Sequence, residues 1–147
     1  MFFSFLKIPF VCKQNNGMQT ITTFYDNSKS FPKYLGSEEN FQKTIARYLD
    51  LSGLLWFHVP NEIKSNVQYG AKRKSLGVKS GVPDVCILEP RGQFNGLFLE
   101  LKVKYNKPSE NQIKWIELLK SKGYAAAWTR SLDEAIEVIE SYMKLDK

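Results

Sequence analysis

Between Leu97 and Val103 the chain alternates. Leu97, Leu99, Leu101 and Val103 share one parity, and Phe98, Glu100 and Lys102 share the other. Successive side chains of a strand point to opposite faces, so this run predicts a strand with one apolar face and an acid and an amine on the other. Upstream, the short apolar run Val85-Cys86-Ile87-Leu88 predicts a second strand, opened by Gly81-Val82-Pro83-Asp84. Pro90-Arg91-Gly92 and Asn95-Gly96 between them are turn signals. The two strands are therefore expected to pair antiparallel and set Asp84 beside Glu100.

Elsewhere the period is helical. Ser37 is a helix-capping residue, Glu38 and Glu39 follow it, and Phe41, Ile45, Tyr48 and Leu49 recur at helical spacing, predicting a helix from about residue 38 to 51. On it Glu38, Gln42, Ile45 and Leu49 share a face, while Glu39 points about 100° away. If either acid looks inward it is Glu38; both also suit the positive end of the helix dipole. After Gly53, the run from Leu54 to Val59 reads as a strand closed by Pro60-Asn61. The next twenty residues, with Gly70, Gly77 and Gly81 among lysines, read as a loop with a short helix at most.

Ser109 and Gln112 have capping-box spacing and open a helix that buries Ile113, Ile116 and Leu119 and ends at Gly123. Tyr124 to Trp128 is a strand. Ser131 and Glu134 form a second capping box, leading a helix whose stripe is Leu132, Ala135, Ile136, Ile139 and Met143. The order helix, strand, strand, strand, helix, strand, helix predicts an α/β fold of two or three layers, a central sheet flanked by helices.

Composition narrows the partners. The 147 residues are 43% hydrophobic, enough for one domain with one core. A net charge of +6 and a pI near 9.3 favour a polyanion, nucleic acid before membrane. Lys64, Lys72, Arg73, Lys74 and Lys79 cluster in the glycine-bearing stretch, and Lys102, Lys104 and Lys107 follow the strand, whereas the C-terminal helix is rich in acids. A solvated loop of lysines is the plainer reading of that cluster. Cys12 and Cys86 have neither zinc nor redox spacing, and His58 is expected to pack or cap. No apolar run approaches the roughly 20 residues that span a bilayer. Met1 to Gly36 lacks the basic start and cleavage site of a signal peptide, so a cytoplasmic, non-secreted protein is expected, with Met18 an alternative start.

Two carboxylates and a lysine at one sheet edge suit Mg²⁺ or Mn²⁺ and the hydrolysis of a phosphate ester. Glu-x-Lys alone is common and more often marks a solvated edge strand.

Taken together, the residues resemble the VRR-NUC domain of the PD-(D/E)xK nuclease superfamily. The likeness runs from about Ser37 to Ile139. It rests on Glu38 and Gln42 in the first helix, His58-Val59-Pro60-Asn61, Gly81-Val82-Pro83-Asp84, Leu97-Phe98-Leu99-Glu100-Leu101-Lys102, and Ser109, Gln112 and Trp115. It implies a restriction-endonuclease-like core over residues 37–147, with residues 1–36 an extension of unassigned role. It also implies a metal-dependent endonuclease acting on DNA, with Asp84, Glu100 and the Leu101 backbone carbonyl holding Mg²⁺ or Mn²⁺. Lys102 would position the water, Glu38 would reach the site, and Gln112 would lie beside Lys102. Standalone members are similar to Holliday-junction resolvases, homodimers on branched DNA that are common in phages and prophages. Lys72, Arg73, Lys74, Lys79 and Lys104 would then bind DNA phosphates. A DNA-binding module of the same fold that does not cleave is the alternative reading. A restriction-type enzyme ranks below both for want of a recognition subdomain.

Overall fold

The computed structural model describes residues 36–61 and 67–147. Expectations for the leader, Cys12, Met18 and Lys64 lie outside the described residues. In chain order the elements are α1 (Glu38–Leu51), β1 (Trp56–His58), α2 (Val67–Ser75), β2 (Val85–Ile87), β3 (Leu97–Leu101), α3 (Glu110–Ser121), β4 (Ala125–Thr129) and α4 (Leu132–Met143).

The strands form a mixed sheet in the order β1-β2-β3-β4, antiparallel except for the parallel pair β3 and β4. Strand parity sorts the core. Leu97, Leu99 and Leu101 face α1 and α4, where they join Phe41, Ile45, Leu49, Val85, Ile87, Val138, Ile139 and Tyr142. The opposite face packs Phe98 and Ala126 under Ile116 and Leu119 of α3. The result is three layers of a restriction-endonuclease-like α/β fold, α1 with α4 on one side of the sheet and α3 on the other.

Local signals hold the helix ends as expected. The Ser37 hydroxyl accepts the Asn40 N–H at 3.1 Å. Ser109 and Gln112 form the full reciprocal box, with Gln112 Oε1 accepting the Ser109 N–H at 2.8 Å. The second box is half formed: Ser131 accepts the Glu134 N–H, but the buried Glu134 carboxylate takes the Arg130 N–H at 2.8 Å. A desolvated carboxylate needs a strong donor, and the N–H freed just past β4 supplies it.

One further expectation is corrected. The buried stripe of α4 centres on Ala135, Val138, Ile139 and Tyr142, with Leu132, Ile136 and Met143 as flanks, because α1 covers α4 alongside the sheet. Tyr142 anchors it by donating to the Glu89 carbonyl at 2.7 Å. In the lysine-rich stretch the short helix that the sequence allowed is α2, nine residues long with Gly70 inside it. Lys72, Arg73 and Lys74 fall in its last turn, where cations suit the dipole.

One loop needs its glycine. Gly81 has φ of +87°, and a Cβ there would lie 2.8 Å from the carbonyl carbon of Asn111, so the strand-opening loop rests directly on the first turn of α3. Gly81→Ala should cost about 1–3 kcal/mol of stability. Gly53, with φ of +65° and nothing within 4 Å of a Cβ, should lose less on the same change. Urea midpoints of the two variants measure the difference.

Candidate active site

Antiparallel pairing of Val85 with Leu99 extends one step to place Asp84 opposite Glu100 on the same face. Glu100 is only 1% exposed, yet its surroundings are polar. Its Oε1 receives Lys102 Nζ at 2.7 Å and the Gln112 side-chain amide. Because Gln112 Oε1 is already taken by the Ser109 N–H, its nitrogen must be the donor to Glu100. Gln112 therefore caps α3 and holds the acid at once, its amide and the Lys102 ammonium meeting on one carboxylate oxygen.

Asp84 is buried too, and its Oδ2 accepts the Leu101 N–H at 2.9 Å. A strand residue sends its N–H and C=O to the same side, so the Leu101 carbonyl faces the same space. The loop carrying Asp84 is clamped from β1. Asn61 donates to the Val82 carbonyl, and the Asp84 backbone carbonyl accepts from the Val59 N–H at 2.8 Å and from His58 Nδ1 at 2.9 Å. A carbonyl can only accept, so His58 carries its proton on Nδ1. His58 caps the loop, as its lack of ligand partners foretold.

Asp84 and Leu101 open onto a depression of about 380 Å³ that Glu38, Glu39, Gln42, Lys43 and His58 also line. Glu38 turns into it. Glu39, exposed at the edge of the same depression, pairs with Lys43 at 2.6 Å, and that contact pulls its carboxyl below the usual range. Both acids thus reach the depression; Glu38 is the more buried of the two, and its charge is felt at Glu100. Gln42, one turn after Glu38, lines the same depression with its buried Nε2 lacking any partner.

A second depression, of about 540 Å³, lies across the Gly81 loop between α2 and α3. Arg73, Lys74, Lys79, Lys114, Asn61 and Trp115 line it. Lys72 and Lys104 are exposed and line neither depression.

The VRR-NUC domain family matches residues 37–133, well over half of the chain. The chain belongs to the VRR-NUC family. A solved structure described as a VRR_NUC domain protein is similar at 30% identity and a TM-score of 0.66, covering 76% of this chain and 92% of that one. A second, described as a VRR_NUC domain, shares the fold at 24% identity and a TM-score of 0.51, covering 71% of this chain and 96% of that one. No curated protein matches. The VRR-NUC assignment makes this a nuclease-type, DNA-processing fold, and no helix among the described residues is long and apolar enough to cross a membrane.

Within this VRR-NUC domain the donors fit a hard divalent cation. Glu100 Oε2 is buried with no hydrogen-bond partner, a desolvated oxygen beside a second carboxylate. Among the described residues no three of His, Cys, Asp and Glu are grouped so as to hold one ion, so side chains would supply two ligands and the Leu101 carbonyl and water the rest, as Mg²⁺ tolerates. Sequence reasoning passed over Gln42, Lys114 and Trp115 as site residues. Gln42 was within reach, since it shares the Glu38 face; Lys114 and Trp115 become neighbours of the α2 lysines only when α3 docks.

Burial, then the adjacent Asp84 charge, pushes the Glu100 carboxyl up to about 7 from its ordinary 4.5, against the pull of Lys102. Between those values the folded chain holds a proton that the unfolded chain releases, so stability falls as pH rises through the window. In chelator, the thermal midpoint of the wild type should drop from pH 5 to pH 8 more steeply than that of Glu100→Gln. Parallel curves would contradict this.

Proposed function

We propose that this VRR-NUC domain is an Mg²⁺- or Mn²⁺-dependent endonuclease that hydrolyses phosphodiester bonds in DNA, preferring branched substrates and acting as a homodimer. The observation that carries the reading is the partnerless buried oxygen of Glu100 beside Asp84, with Lys102 bound to the other oxygen. A carboxylate pair this desolvated is costly unless a cation shares it. The branched preference and the homodimer rest on the likeness to junction resolvases.

Asp84, Glu100 and the Leu101 carbonyl would hold the ion. With it bound, the site gains a Lewis acid that polarises a phosphate oxygen and acidifies water. Lys102, held 2.7 Å from Glu100 and mostly shielded, presents an ammonium that orients the attacking water and offsets charge gathering on the phosphate. Gln112 keeps Glu100 in place, and Glu38 and Gln42 line the wall where water and phosphate oxygens would meet. Hydrolysis joins the water oxygen to phosphorus and breaks the bond to the leaving sugar oxygen, which takes up a proton. Arg73, Lys74 and Lys79 bind the backbone without reading bases.

Four-way junction, flap, single-stranded and linear duplex DNA, each incubated with Mg²⁺, Mn²⁺ or chelator, test the reading. Nicking should require the metal and favour the branched forms. Lys102→Ala should lower the cleavage rate by about 100-fold or more, the scale of losing one charge-stabilising donor, and leave DNA affinity in chelator near that of the wild type. Binding without cleavage of any substrate would leave a DNA-binding module instead.

A further inference from the structure

The depression between α2 and α3 has a different chemistry from the acid cluster. We propose that it is a nucleotide site: it takes one unpaired nucleotide of the DNA strand next to the bond being cut, the base stacked on Trp115 and the flanking phosphates on Lys74, Lys79 and Lys114. The placement next to the cut bond rests on the nuclease reading; the nucleotide site itself does not.

Four observations support it. Arg73, Lys74, Lys79 and Lys114 line a single depression, and among the described residues none of Lys74, Lys79 and Lys114 forms an ion pair. Cations gathered without counter-charges repel one another and favour an anion between them. Trp115 lines the same space while packing against the core cluster of Ile116, Leu119 and Ala126, which fixes the ring in advance and makes it a stacking platform. The polar side chains of Asn61, Ser80 and Asn111 at the rim can bond to a base edge or sugar. At about 540 Å³ the space has the scale of pockets that enclose a small organic molecule. A paired base, stacked inside a duplex, cannot enter a depression of that size; a splayed one can.

The position ties it to the acids. α3 presents Gln112 to Glu100 and, three residues later, Trp115 to the depression. That separation is about 4.5 Å along the helix axis, the advance of one to two nucleotides at about 3.4 Å each along a strand. Asn61 belongs to both regions, since it clamps Val82 just before Asp84 and lines the basic depression. A strand with its phosphate at the acids would thus have a neighbouring base within reach of Trp115, and flaps and distorted branch points are where unpaired bases occur.

The test is binding in chelator, where no cleavage intervenes. Fluorescence anisotropy of the full chain with a labelled short oligothymidine, and with a duplex of equal length, reads the affinities. The single strand should bind more tightly than the duplex. Trp115→Ala should weaken single-strand binding by roughly 10-fold or more, in keeping with alanine replacement of a stacking aromatic, with little change on the duplex, and Trp115→Phe should recover most of the loss. Lys114→Ala, exposed and outside the core, should flatten the dependence of log affinity on log salt by about 0.7. An unchanged single-strand affinity in Trp115→Ala, an equal loss on the duplex, or an unaltered salt slope in Lys114→Ala would each overturn the proposal. Should Trp115→Ala fail to fold, Trp115→Phe and Lys114→Ala decide. Asp84→Asn separates the two readings: it should abolish cleavage and leave oligothymidine binding as in the wild type.

Discussion

A carboxylate sits almost wholly out of water at the end of β3, and the neighbouring structure is arranged around that cost. Glu100 is approached from three directions: Lys102 just past the end of its own strand, Gln112 from α3, and Asp84 from the residue before β2. Lys102 and Gln112 converge on one oxygen, while the other keeps no partner. The acid's charge is therefore only partly matched, which is why its proton affinity rises despite a lysine at 2.7 Å. A site that leaves a buried oxygen short of a donor holds in reserve the electrostatics a hard cation would satisfy.

The loop from Gly81 to Asp84 transmits this arrangement to the surface. It cannot move freely, because Gly81 abuts Asn111 of α3, Asn61 holds the Val82 carbonyl, and His58 with the Val59 N–H holds that of Asp84. On one side lies the acid depression with Glu38 and Gln42; on the other lies the basic depression with Trp115. The same few residues thus set the distance between a wall that repels phosphate and a wall that attracts it. Such juxtaposition lets a polyanion be drawn in by one surface and presented to the other.

Much of this was legible in the chain, for local reasons. The alternation of Leu97, Leu99 and Leu101 with Phe98 and Glu100 settles which face each side chain takes, since parity is a property of any strand. Turn residues between two short strands set their pairing, and with it the meeting of Asp84 and Glu100. Ser37, Ser109 and Ser131 mark helix starts because an orphan N–H needs an acceptor three residues back. Glu38 could be preferred to Glu39 from the angle between consecutive helical residues alone.

Tertiary packing decided the rest. Whether Gln112 serves its cap or the acid could not be told from a spacing that satisfies both; docking α3 against β3 lets one amide do each with a different atom. The partner of Glu134 and the centre of the α4 stripe likewise depended on which neighbours cover an element. The gathering of Lys114 and Trp115 with Lys74 and Lys79 joins residues some forty positions apart, and nothing in local periodicity relates two helices before they pack. Short-range order follows from backbone geometry, which the sequence carries in each residue, whereas a site is a set of distances between elements, and those are fixed only when the layers close.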